Sequence, residues 1–264
     1  MFSQEIYHVR RSIIEMLNPY ESHHIGCSLS IVEILVVLYF HVLHVYPRKP
    51  RNPKRDIFIL SKGHAAAALY ATLAKRGFFN KKLLQTFERD GGYLPGHSTK
   101  SVVGVEASTG SLGHGLSMGA GFSLSFKNDH KKNNVSVLLS DGELNEGSTW
   151  EAIMFSGHHR LSNLTAIVDV NGMQGYGLTK DVLDLEPLKN KLLEFKWNVY
   201  ETDGHNVMQL IKIFDNIKKN KNNKPNFVIA RTVKGKGVPY FEGKFESHYL
   251  SIDEETKKNI LSQL

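Results

Sequence analysis

Short runs of consecutive apolar residues alternate along this chain with longer segments in which apolar residues recur at helical spacing. The short runs predict buried strands, because a strand covered on both faces is apolar throughout. They lie at residues 56–60, 135–139, 164–170, 197–201 and 226–231. The helical segments lie at residues 3–18, 31–44, 65–75, 112–126 and 148–159. This alternation predicts an α/β fold with a doubly wound, mainly parallel sheet and helices on both faces.

Two of the predicted helices begin at residues that commonly cap helices. Ser30 precedes the helix at 31–44, and Ser148 with Glu151 fits a capping box. The segment 91–105 contains four glycines and one proline but few apolar residues, which is typical of a long functional loop. We therefore expect this loop to lie over a functional site.

The chain of 264 residues is long enough to bury the core of one α/β domain. Its formal net charge of +7 raises the question of nucleic-acid binding. The basic excess lies in lysine- and asparagine-rich segments at 127–134 and 218–224, which lack interleaved aromatic residues and are typical of solvated turns. We therefore expect no nucleic-acid partner. A basic balance also suits an anionic cofactor and phosphorylated substrates.

The single cysteine, Cys27, excludes an internal disulfide and fits a reducing, cytoplasmic location. It has no partner motif, so we expect it to pack as a small apolar residue. The most apolar run, at 31–46, contains Glu33 and two histidines and is shorter than the roughly 20 residues of a membrane span. The first residues of the chain do not follow a signal-peptide pattern. These features predict no membrane segment.

Asp141 and Asn171 each follow a predicted strand, and each precedes a glycine. With the helix between them, the two strands form a strand–helix–strand unit. The carboxyl ends of parallel strands form the edge where open α/β sheets bind ligands. Carboxylate and amide oxygens suit Mg²⁺ or Ca²⁺, so the pair is a candidate metal site. Asp-Gly and Asn-Gly also occur as plain turns, and the two dipeptides alone leave both interpretations open.

Five blocks of sequence, in order along the chain, resemble motifs of the transketolase family. The longest, at 140–177, is similar to the family's thiamine diphosphate signature, which runs from Gly-Asp-Gly to an asparagine further on. The others are residues 61–64 (SKGH), 95–97 (PGH), 110–115 (GSLGHG) and 232–238 (TVKGKGV), the last followed by His248. The resemblance extends over nearly the whole chain. The chain therefore resembles the first, diphosphate-binding domain of a transketolase.

The resemblance implies thiamine diphosphate as the cofactor, held together with Mg²⁺ or Ca²⁺. Asp141, Asn171 and the main-chain carbonyl of Met173 correspond to the family's metal ligands. The bare Cα of Gly142 would let the backbone approach the diphosphate. The loop residues that correspond to positions beneath the cofactor rings are Gly110, Ser111 and Leu112.

Four histidines match functional positions of the family. His64 and His248 resemble the pair that contacts the diphosphate and the reacting carbons. His24 and His97 resemble residues that bond the hydroxyl groups of the donor sugar and move protons. Imidazole suits this work because it exchanges protons near neutral pH. The histidines interpreted as structural are His23, His158 and His159.

Glu146 and Glu151 resemble an acidic pair at the interface between two diphosphate domains in the transketolase dimer, which makes Glu146 a candidate catalytic residue. Both also lie near the start of the helix predicted at 148–159, where the helix dipole favours carboxylates. The sequence leaves both interpretations open.

A complete transketolase carries two further domains, a pyrimidine-binding domain and a C-terminal domain, which this chain does not match. The glutamate that activates the cofactor belongs to the pyrimidine-binding domain. Residues 1–264 are therefore expected to form one domain, the N-terminal subunit of a split transketolase that is active only with a partner chain. Self-association through the diphosphate domain and an α2β2 assembly are also expected. The implied reaction transfers a two-carbon ketol unit from a ketose phosphate to an aldose.

Two motifs depart from the family pattern. Ser140 stands where the family has the first glycine of Gly-Asp-Gly, immediately before the predicted metal ligand. Residues 22–26 read Ser-His-His-Ile-Gly, with Ser22 at the start, where the family has Ser-Gly-His-Pro-Gly. These bulkier neighbours flank the donor-side His24, so the substrate is less defined than the cofactor. The alternative is a related enzyme subunit that acts on another ketose, a 2-oxo acid or an activated sugar in a specialised pathway.

Other functional classes fit the sequence less well. A nucleotide-binding oxidoreductase needs G-x-G-x-x-G after a strand, but Met118 replaces the last glycine after Gly113 and Gly115. A phosphate-binding loop of the G-x-x-x-x-G-K-[ST] type does not occur. An inactive regulatory subunit would not need the metal ligands and the four histidines, all of which are present.

Overall fold

The computed structural model describes residues 1–19 and 23–264 of the chain. The strands in these residues are β1 Ile57–Leu60, β2 Val135–Ser140, β3 Leu164–Val170, β4 Met173–Gln174, β5 Gly177–Leu178, β6 Asn198–Asp203 and β7 Asn226–Arg231. Five of them form a parallel sheet in the order β1-β2-β3-β7-β6, and β4 pairs with β5 in a short antiparallel hairpin. The parallel sheet confirms the fold class predicted from the sequence.

Helices connect the strands in the described part of the chain. They are α1 Ser3–Met16, α2 Ile25–Leu29, α3 Val32–Val37, α4 Ala66–Arg76, α5 Gly115–Asn128, α6 Gly147–His158, α7 Thr179–Val182, α8 Leu188–Glu194, α9 Val207–Lys219 and α10 Glu254–Gln263. Short 3₁₀ turns lie at Gly63–Ala65, Lys81–Thr86, Gly142–Asn145 and Phe245–His248, and a π-helical turn at Leu38–Val42 follows α3. Within residues 1–19 and 23–264, every helix is too short or too polar to span a bilayer.

Apolar side chains of the sheet alternate between two cores. In β1, Phe58 and Leu60 face the core covered by α1, α3, α4, α9 and α10. Ile57 and Ile59 face the other core, beneath α5, α6 and α8. Successive side chains of a strand point to opposite faces, which is why β1, covered on both faces, is apolar throughout. Helices on both faces are the doubly wound arrangement that the sequence predicted.

Both predicted helix caps are wrong. The hydroxyl of Ser30 donates to Asp169 Oδ2 at 2.7 Å, and α3 has no side-chain cap. Ser148 donates to the carbonyl of Gly113 at 2.9 Å, and α6 begins after Glu146, whose side chain makes no capping bond. In both cases the hydroxyl group donates to an acceptor far away in the sequence and accepts no bond from the local backbone amides.

The remaining predicted elements agree with the structure to within a few residues, with one further exception. The segment predicted as one helix at 31–44 is divided into α3 and the π-helical turn. The segment 91–105 contains neither helix nor strand, apart from a bridge between Leu94 and Phe87. The sequence thus located the long loop correctly, while its functional role stays a prediction.

Candidate active site

The carboxyl ends of β1, β2, β3 and β7 meet at one edge of the parallel sheet. Lys62, Asp141, Asn171 and Thr232 closely follow these strands. A backbone hydrogen bond joins the ends of β2 and β3, in which the amide of Asp141 donates to the carbonyl of Asp169 at 3.2 Å. This edge is where open α/β sheets bind ligands.

Lys62 and Asp169 form an ion pair in which both side chains are fully buried. The carboxylate of Asp169 also accepts hydrogen bonds from Thr232, from Ser30 at 2.7 Å and from the Asn171 amide at 3.1 Å. Burial by itself would raise the pKa of Asp169, but the Lys62 ammonium and the hydrogen bonds hold it below its usual value. This fully bonded carboxylate therefore joins the ends of β1, β3 and β7.

Asp141 is buried at the end of β2, with 1% of its surface exposed. Its carboxylate accepts hydrogen bonds from the amides of Gly142 and Gly172, both at 2.8 Å, and from Thr179 Oγ1 at 3.1 Å. All three donors are neutral groups. Burial and the nearby charge of Asp169 raise the pKa of Asp141 to about 6. A buried carboxylate with neutral donors is a group that a divalent cation would stabilise.

Asn171 is oriented by two hydrogen bonds. Its amide nitrogen donates to Asp169 Oδ2 at 3.1 Å, and its Oδ1 accepts from the amide of Met173 at 3.1 Å. The amide of Gly172, which lies between Asn171 and Met173, donates to Asp141. Hydrogen bonds therefore link the turn at 171–173 to Asp141, and so connect the three predicted metal ligands. Across residues 1–19 and 23–264, no three His, Cys, Asp or Glu side chains are grouped as a metal site. An ion here would therefore need the amide, carbonyl and diphosphate oxygens of the predicted ligand set, which fits Mg²⁺ or Ca²⁺.

The structure brings together the four histidines that the sequence singled out. The ring centre of His24 lies 4.9 Å from that of His248 and 5.0 Å from that of His64. The ring centre of His97 lies 6.1 Å from that of His24. His24 has the left-handed φ of 60°, and its amide donates to the carbonyl of His248 at 2.9 Å. Few residues other than glycine adopt this conformation, which indicates a constrained position at the centre of the cluster.

The rings of His24 and His64 are neutral near pH 7. Burial, together with the nearby charge of His64, lowers the pKa of His24 to about 3. Burial also lowers the pKa of His64. The Nδ1 atom of His24 is buried and has no hydrogen-bond partner among the described residues. A bound ligand would supply the missing hydrogen bond.

Lys234 orients His248. The Nζ atom of this buried lysine lies 2.8 Å from Nδ1 of His248. A lysine ammonium has no acceptor, so Nδ1 accepts the bond and the proton of the neutral ring lies on Nε2. The sulfur of Cys27 also approaches Nδ1, at the longer distance of 3.5 Å. Cys27 is buried, as the sequence predicted, although its place beside an imidazole was not expected.

The loop at 110–114 is fixed through its backbone. Gly110 has a φ of 152°, and a Cβ there would lie 2.8 Å from Cδ2 of His97, so loop and histidine are in contact. The amide of Gly113 donates to Glu143 Oε1 at 2.9 Å, and the hydroxyl of Ser61 donates to the same oxygen. The other two residues predicted to lie beneath the cofactor are the exposed Ser111 and the half-buried Leu112. The anchoring places this loop beside the ends of β1 and β2.

Gly142 and Glu143 begin the 3₁₀ turn that follows β2. A Cβ on Gly142 would lie 3.0 Å from the Cβ of Gln174, so this side chain packs on the glycine predicted to bind diphosphate. Burial raises the pKa of Glu143, and its Oε2 is buried with no partner in the described part of the chain. Ser140, one of the departures from the family pattern, accepts a hydrogen bond from the Glu143 amide at 3.3 Å. The serine thus adds a hydrogen bond to the turn.

Glu146 is exposed at the start of α6. Its Cβ packs beside Gly113, since a Cβ on that glycine would lie 2.9 Å from it. Glu151 is also exposed, and Met154 and Phe155 are exposed further along the same helix. The position at a helix start and the exposed apolar surface agree with both interpretations that the sequence left open.

The other residues singled out in the sequence lie at the margin of the cluster or outside it. Ser22 lies outside the described residues. Nδ1 of His23 contacts the carbonyl of Tyr249 at 3.2 Å. His158 and His159 lie at the end of α6 and pack against each other, with ring centres 5.0 Å apart.

Sequence reasoning missed four charged residues at this edge: Lys62, Glu143, Asp169 and Lys234. A signal existed for Asp169, because a charge inside a strand buried on both faces must be paired. Lys62 carries a weaker signal of the same kind, since it is the second residue after the apolar strand β1. No comparable pattern marks Lys234, whose partner His248 lies in a separate turn.

Comparison with known proteins agrees with this architecture. The family described as transketolase, thiamine diphosphate binding domain, matches residues 3–264. The 6-deoxy-6-sulfo-D-fructose transketolase subunit SqwG of Clostridium sp. strain MSTE9 is 40% identical over 97% of this chain and 93% of its own length. One subunit of the apulose-4-phosphate transketolase of Phocaeicola vulgatus is 40% identical over 91% of this chain and 85% of its own length.

A crystal structure of transketolase from Campylobacter jejuni has a TM-score of 0.88 and 30% sequence identity, and the match covers 98% of this chain and 42% of that one. The family match identifies the parallel sheet, with its polar carboxyl edge, as that of a thiamine diphosphate-binding α/β domain. The chain belongs to the transketolase family. The resemblance inferred from the sequence is thereby confirmed.

Proposed function

We propose that this chain is the N-terminal, diphosphate-binding subunit of a two-subunit transketolase. The observation that carries the proposal is the match, over most of both chains, to proteins named as transketolase subunits. The histidine cluster supports it, because oxygen ligands and proton-exchanging groups then occupy the same end of the sheet. The reaction would transfer a two-carbon ketol unit from a ketose donor to an aldose acceptor.

The cofactor site would be built from the ends of β2 and β3. Asp141, Asn171 and the carbonyl of Met173 would hold Mg²⁺ or Ca²⁺, and Gly142 would lie against the diphosphate. When bound, thiamine diphosphate supplies the nucleophilic carbon that the protein itself lacks. The loop residues that would lie beneath its rings are Gly110, Ser111 and Leu112.

The histidines would bind the substrate and move its protons. His248 would donate from Nε2, because Lys234 occupies Nδ1. His64 would join it beside the diphosphate. His24, whose ring is neutral and whose Nδ1 has no partner among the described residues, would bond a hydroxyl group of the donor. His97 would complete these contacts from the loop at 91–105.

The chain would act with a partner chain that carries the pyrimidine-binding and C-terminal domains and supplies the activating glutamate. Residues 1–264 would then form one domain of an α2β2 assembly. The exposed side chains of Met154 and Phe155 on α6, close to Glu146 and Glu151, support self-association through this surface. Glu146 would then lie at the interface between two diphosphate domains. A cytoplasmic location stays a prediction.

The donor is proposed to be a ketose with an anionic group at its far end. The two relatives are named for different ketoses, one with a sulfo group and one with a phosphate. The departures at 22–26 flank His24 and so would shape the donor side of the site. The alternative remains a different ketose, a 2-oxo acid or an activated sugar.

Steady-state ketol transfer by the reconstituted complex tests this proposal. The donors would be xylulose 5-phosphate, fructose 6-phosphate and their dephosphorylated forms. His24→Ala and His97→Ala should each lower turnover by about 10²-fold or more, the range for a lost acid–base group. The affinity for thiamine diphosphate should change little. Wild-type turnover of every donor by both variants would remove the substrate-side assignment.

A further inference from the structure

A cavity of about 640 Å³ opens at the amino-terminal edge of the parallel sheet, opposite the candidate active site. Residues that precede or begin β1, β2 and β3 line it, together with the second half of α9. Its volume lies within the range of about 300–1,000 Å³ that is typical of small-molecule sites. We propose that this cavity binds a small organic phosphate, a ligand with an anionic group and a polar body.

The hydroxyl groups of two largely buried residues lie on the sheet side of the cavity. Ser136 of β2 and Thr165 of β3 are paired in register, and both line the cavity. Two residues further along the same strands, Leu138 and Ile167 are paired and belong to the apolar core. The same face of the sheet therefore changes from apolar to polar where the cavity begins.

These hydroxyl groups are available to a ligand. Ser136 and Thr165 are buried, yet neither hydroxyl bonds to another residue in the described part of the chain. Neither hydroxyl oxygen is itself enclosed by protein, so both are open to the cavity. A hydroxyl can both donate and accept, so the pair can bond the polar body of a small molecule.

Lysine side chains make the cavity favourable for an anion. Lys132, Lys218 and Lys221 line it. Neither Lys132 nor Lys218 forms an ion pair with another of the described residues. Phosphate oxygens accept strong, charge-assisted hydrogen bonds from lysine ammonium groups.

The acidic residues of the cavity are already bonded within the protein. Asp56 accepts from the amide of Asn134 at 2.7 Å and contacts Nδ1 of His44 at 3.0 Å. Asp215 contacts Nε2 of His41 at 2.9 Å. Among the residues that the structure describes, four lysines line the cavity against these two aspartates, so positive charge dominates what a ligand would meet.

Surface lysines alone would not define a site, because most exposed lysines are simply solvated. The concave shape and the two unpaired hydroxyl groups behind the lysines distinguish this place. The cavity is also separate from the candidate active site. The six residues of β2 lie between the two edges, a distance of about 20 Å at about 3.3 Å per residue.

Calorimetric titration of the purified chain, with thiamine diphosphate and Mg²⁺ already in excess, tests the proposal. The probes are adenosine 5′-monophosphate and 3-phosphoglycerate, compared with adenosine and glycerate. At least one probe should bind with a Kd below about 1 mM, and its counterpart without phosphate should bind at least about tenfold more weakly. The double variant Lys132→Ala/Lys218→Ala should weaken binding by about tenfold or more. Ser136→Val should also weaken it, although the charge is unchanged.

The double variant Lys189→Ala/Lys258→Ala is the matched control, since it removes the same charge from exposed positions outside the cavity lining. It should bind the probe as the wild type does. Failure of both probes to bind the wild type would overturn the proposal. Equal weakening in the control variant would also overturn it, because the attraction would then be a property of the whole surface.

Discussion

The Nζ atom of Lys234 lies 2.8 Å from Nδ1 of His248, and this contact decides which nitrogen of the imidazole can donate. The lysine follows β7, whereas the histidine ends the 3₁₀ turn at Phe245–His248. Because Nδ1 is occupied, the remaining nitrogen, Nε2, is the one that can donate to a bound molecule. The direction of proton donation is thus set by a residue outside the histidine cluster.

Lys234→Met should release this constraint. Without the ammonium, Nδ1 and Nε2 of His248 should both carry the proton in part, because the remaining partner of Nδ1 is the sulfur of Cys27 at 3.5 Å, which can donate or accept only a weak hydrogen bond. Nitrogen NMR of histidine-labelled protein reports the tautomer directly. The wild type should show the proton on Nε2, and Lys234→Arg should restore that state. An unchanged tautomer in Lys234→Met would contradict the role assigned to the lysine.

The buried ion pair of Lys62 with Asp169 should matter for stability. Lys62→Met leaves a buried carboxylate without its counter-charge, and we expect a loss of about 3–5 kcal/mol in the free energy of unfolding. The double variant Lys62→Met/Asp169→Leu should recover part of that loss. Urea denaturation measures both quantities.

An exposed ion pair provides the control for this experiment. Arg231 is about half exposed and pairs with Glu186 at 2.9 Å. Arg231→Met should cost less than about 1 kcal/mol, because solvent screens exposed pairs. If Lys62→Met cost no more than this control, the buried pair would not have the structural role described here.

The fold could be predicted from the sequence more completely than the site. Strands buried on both faces are continuous apolar runs, and this pattern located β1, β2, β3 and β7 closely. The caps at Ser30 and Ser148 failed because their hydroxyl groups bond to distant parts of the chain. Local pattern carries no information about such tertiary acceptors.

The same limit applies to the site. The family motifs marked His24 and His248, yet nothing in their positions along the chain shows that the two rings lie 4.9 Å apart. The contact between the ammonium of Lys234 and His248 could not be predicted for the same reason. Asp169 is different, since a charge within a buried strand signals a partner even before that partner is known.

Acid should destabilise the protein through His24. Its pKa is about 3 in the folded protein because of burial, whereas an unfolded histidine titrates near pH 6.5. Between these values the unfolded state binds more protons, so this contribution to stability is complete above about pH 6.5 and is lost as the pH falls toward 3. His24→Asn should reduce this loss of stability, measured as melting temperature against pH.

Asparagine is chosen because it tolerates the left-handed backbone of His24 better than most residues do. His130→Asn is the matched control, since His130 is exposed and has a similar φ of 54°. That control should retain the wild-type pH dependence. An identical profile for His24→Asn would mean that other groups cause the loss of stability in acid.

Gly63→Ala should disturb the packing between β1 and the glycine loop. A Cβ at Gly63 would lie 2.5 Å from the carbonyl carbon of Thr109, and backbone cannot move aside as a flexible side chain can. We expect a loss of about 1–3 kcal/mol in unfolding free energy. Gly147→Ala is the control, because a Cβ there meets nothing within 4 Å, and it should be neutral or stabilising by up to about 1 kcal/mol. Equal effects of the two substitutions would show that this close contact does not limit the packing.

Binding of the cofactor should stabilise the assembled protein. At about 100 times its dissociation constant, thiamine diphosphate with Mg²⁺ should add roughly 2.7 kcal/mol, which corresponds to a rise of about 5–10 °C in melting temperature. Asp141→Ala should abolish the rise without unfolding the protein. A shift that persists in the variant, or that NAD produces equally, would contradict the metal and diphosphate assignment.

The most direct test of the proposed function is an assay of ketol transfer by this chain alone, by the partner chain with the pyrimidine-binding domain alone, and by their mixture. Thiamine diphosphate and Mg²⁺ are present in every case. We expect turnover in the mixture only, and its loss when Asp141→Ala replaces the wild-type chain. Full turnover by this chain alone, or by the mixture that contains Asp141→Ala, would contradict the claim that it supplies the diphosphate-binding half of a two-subunit transketolase.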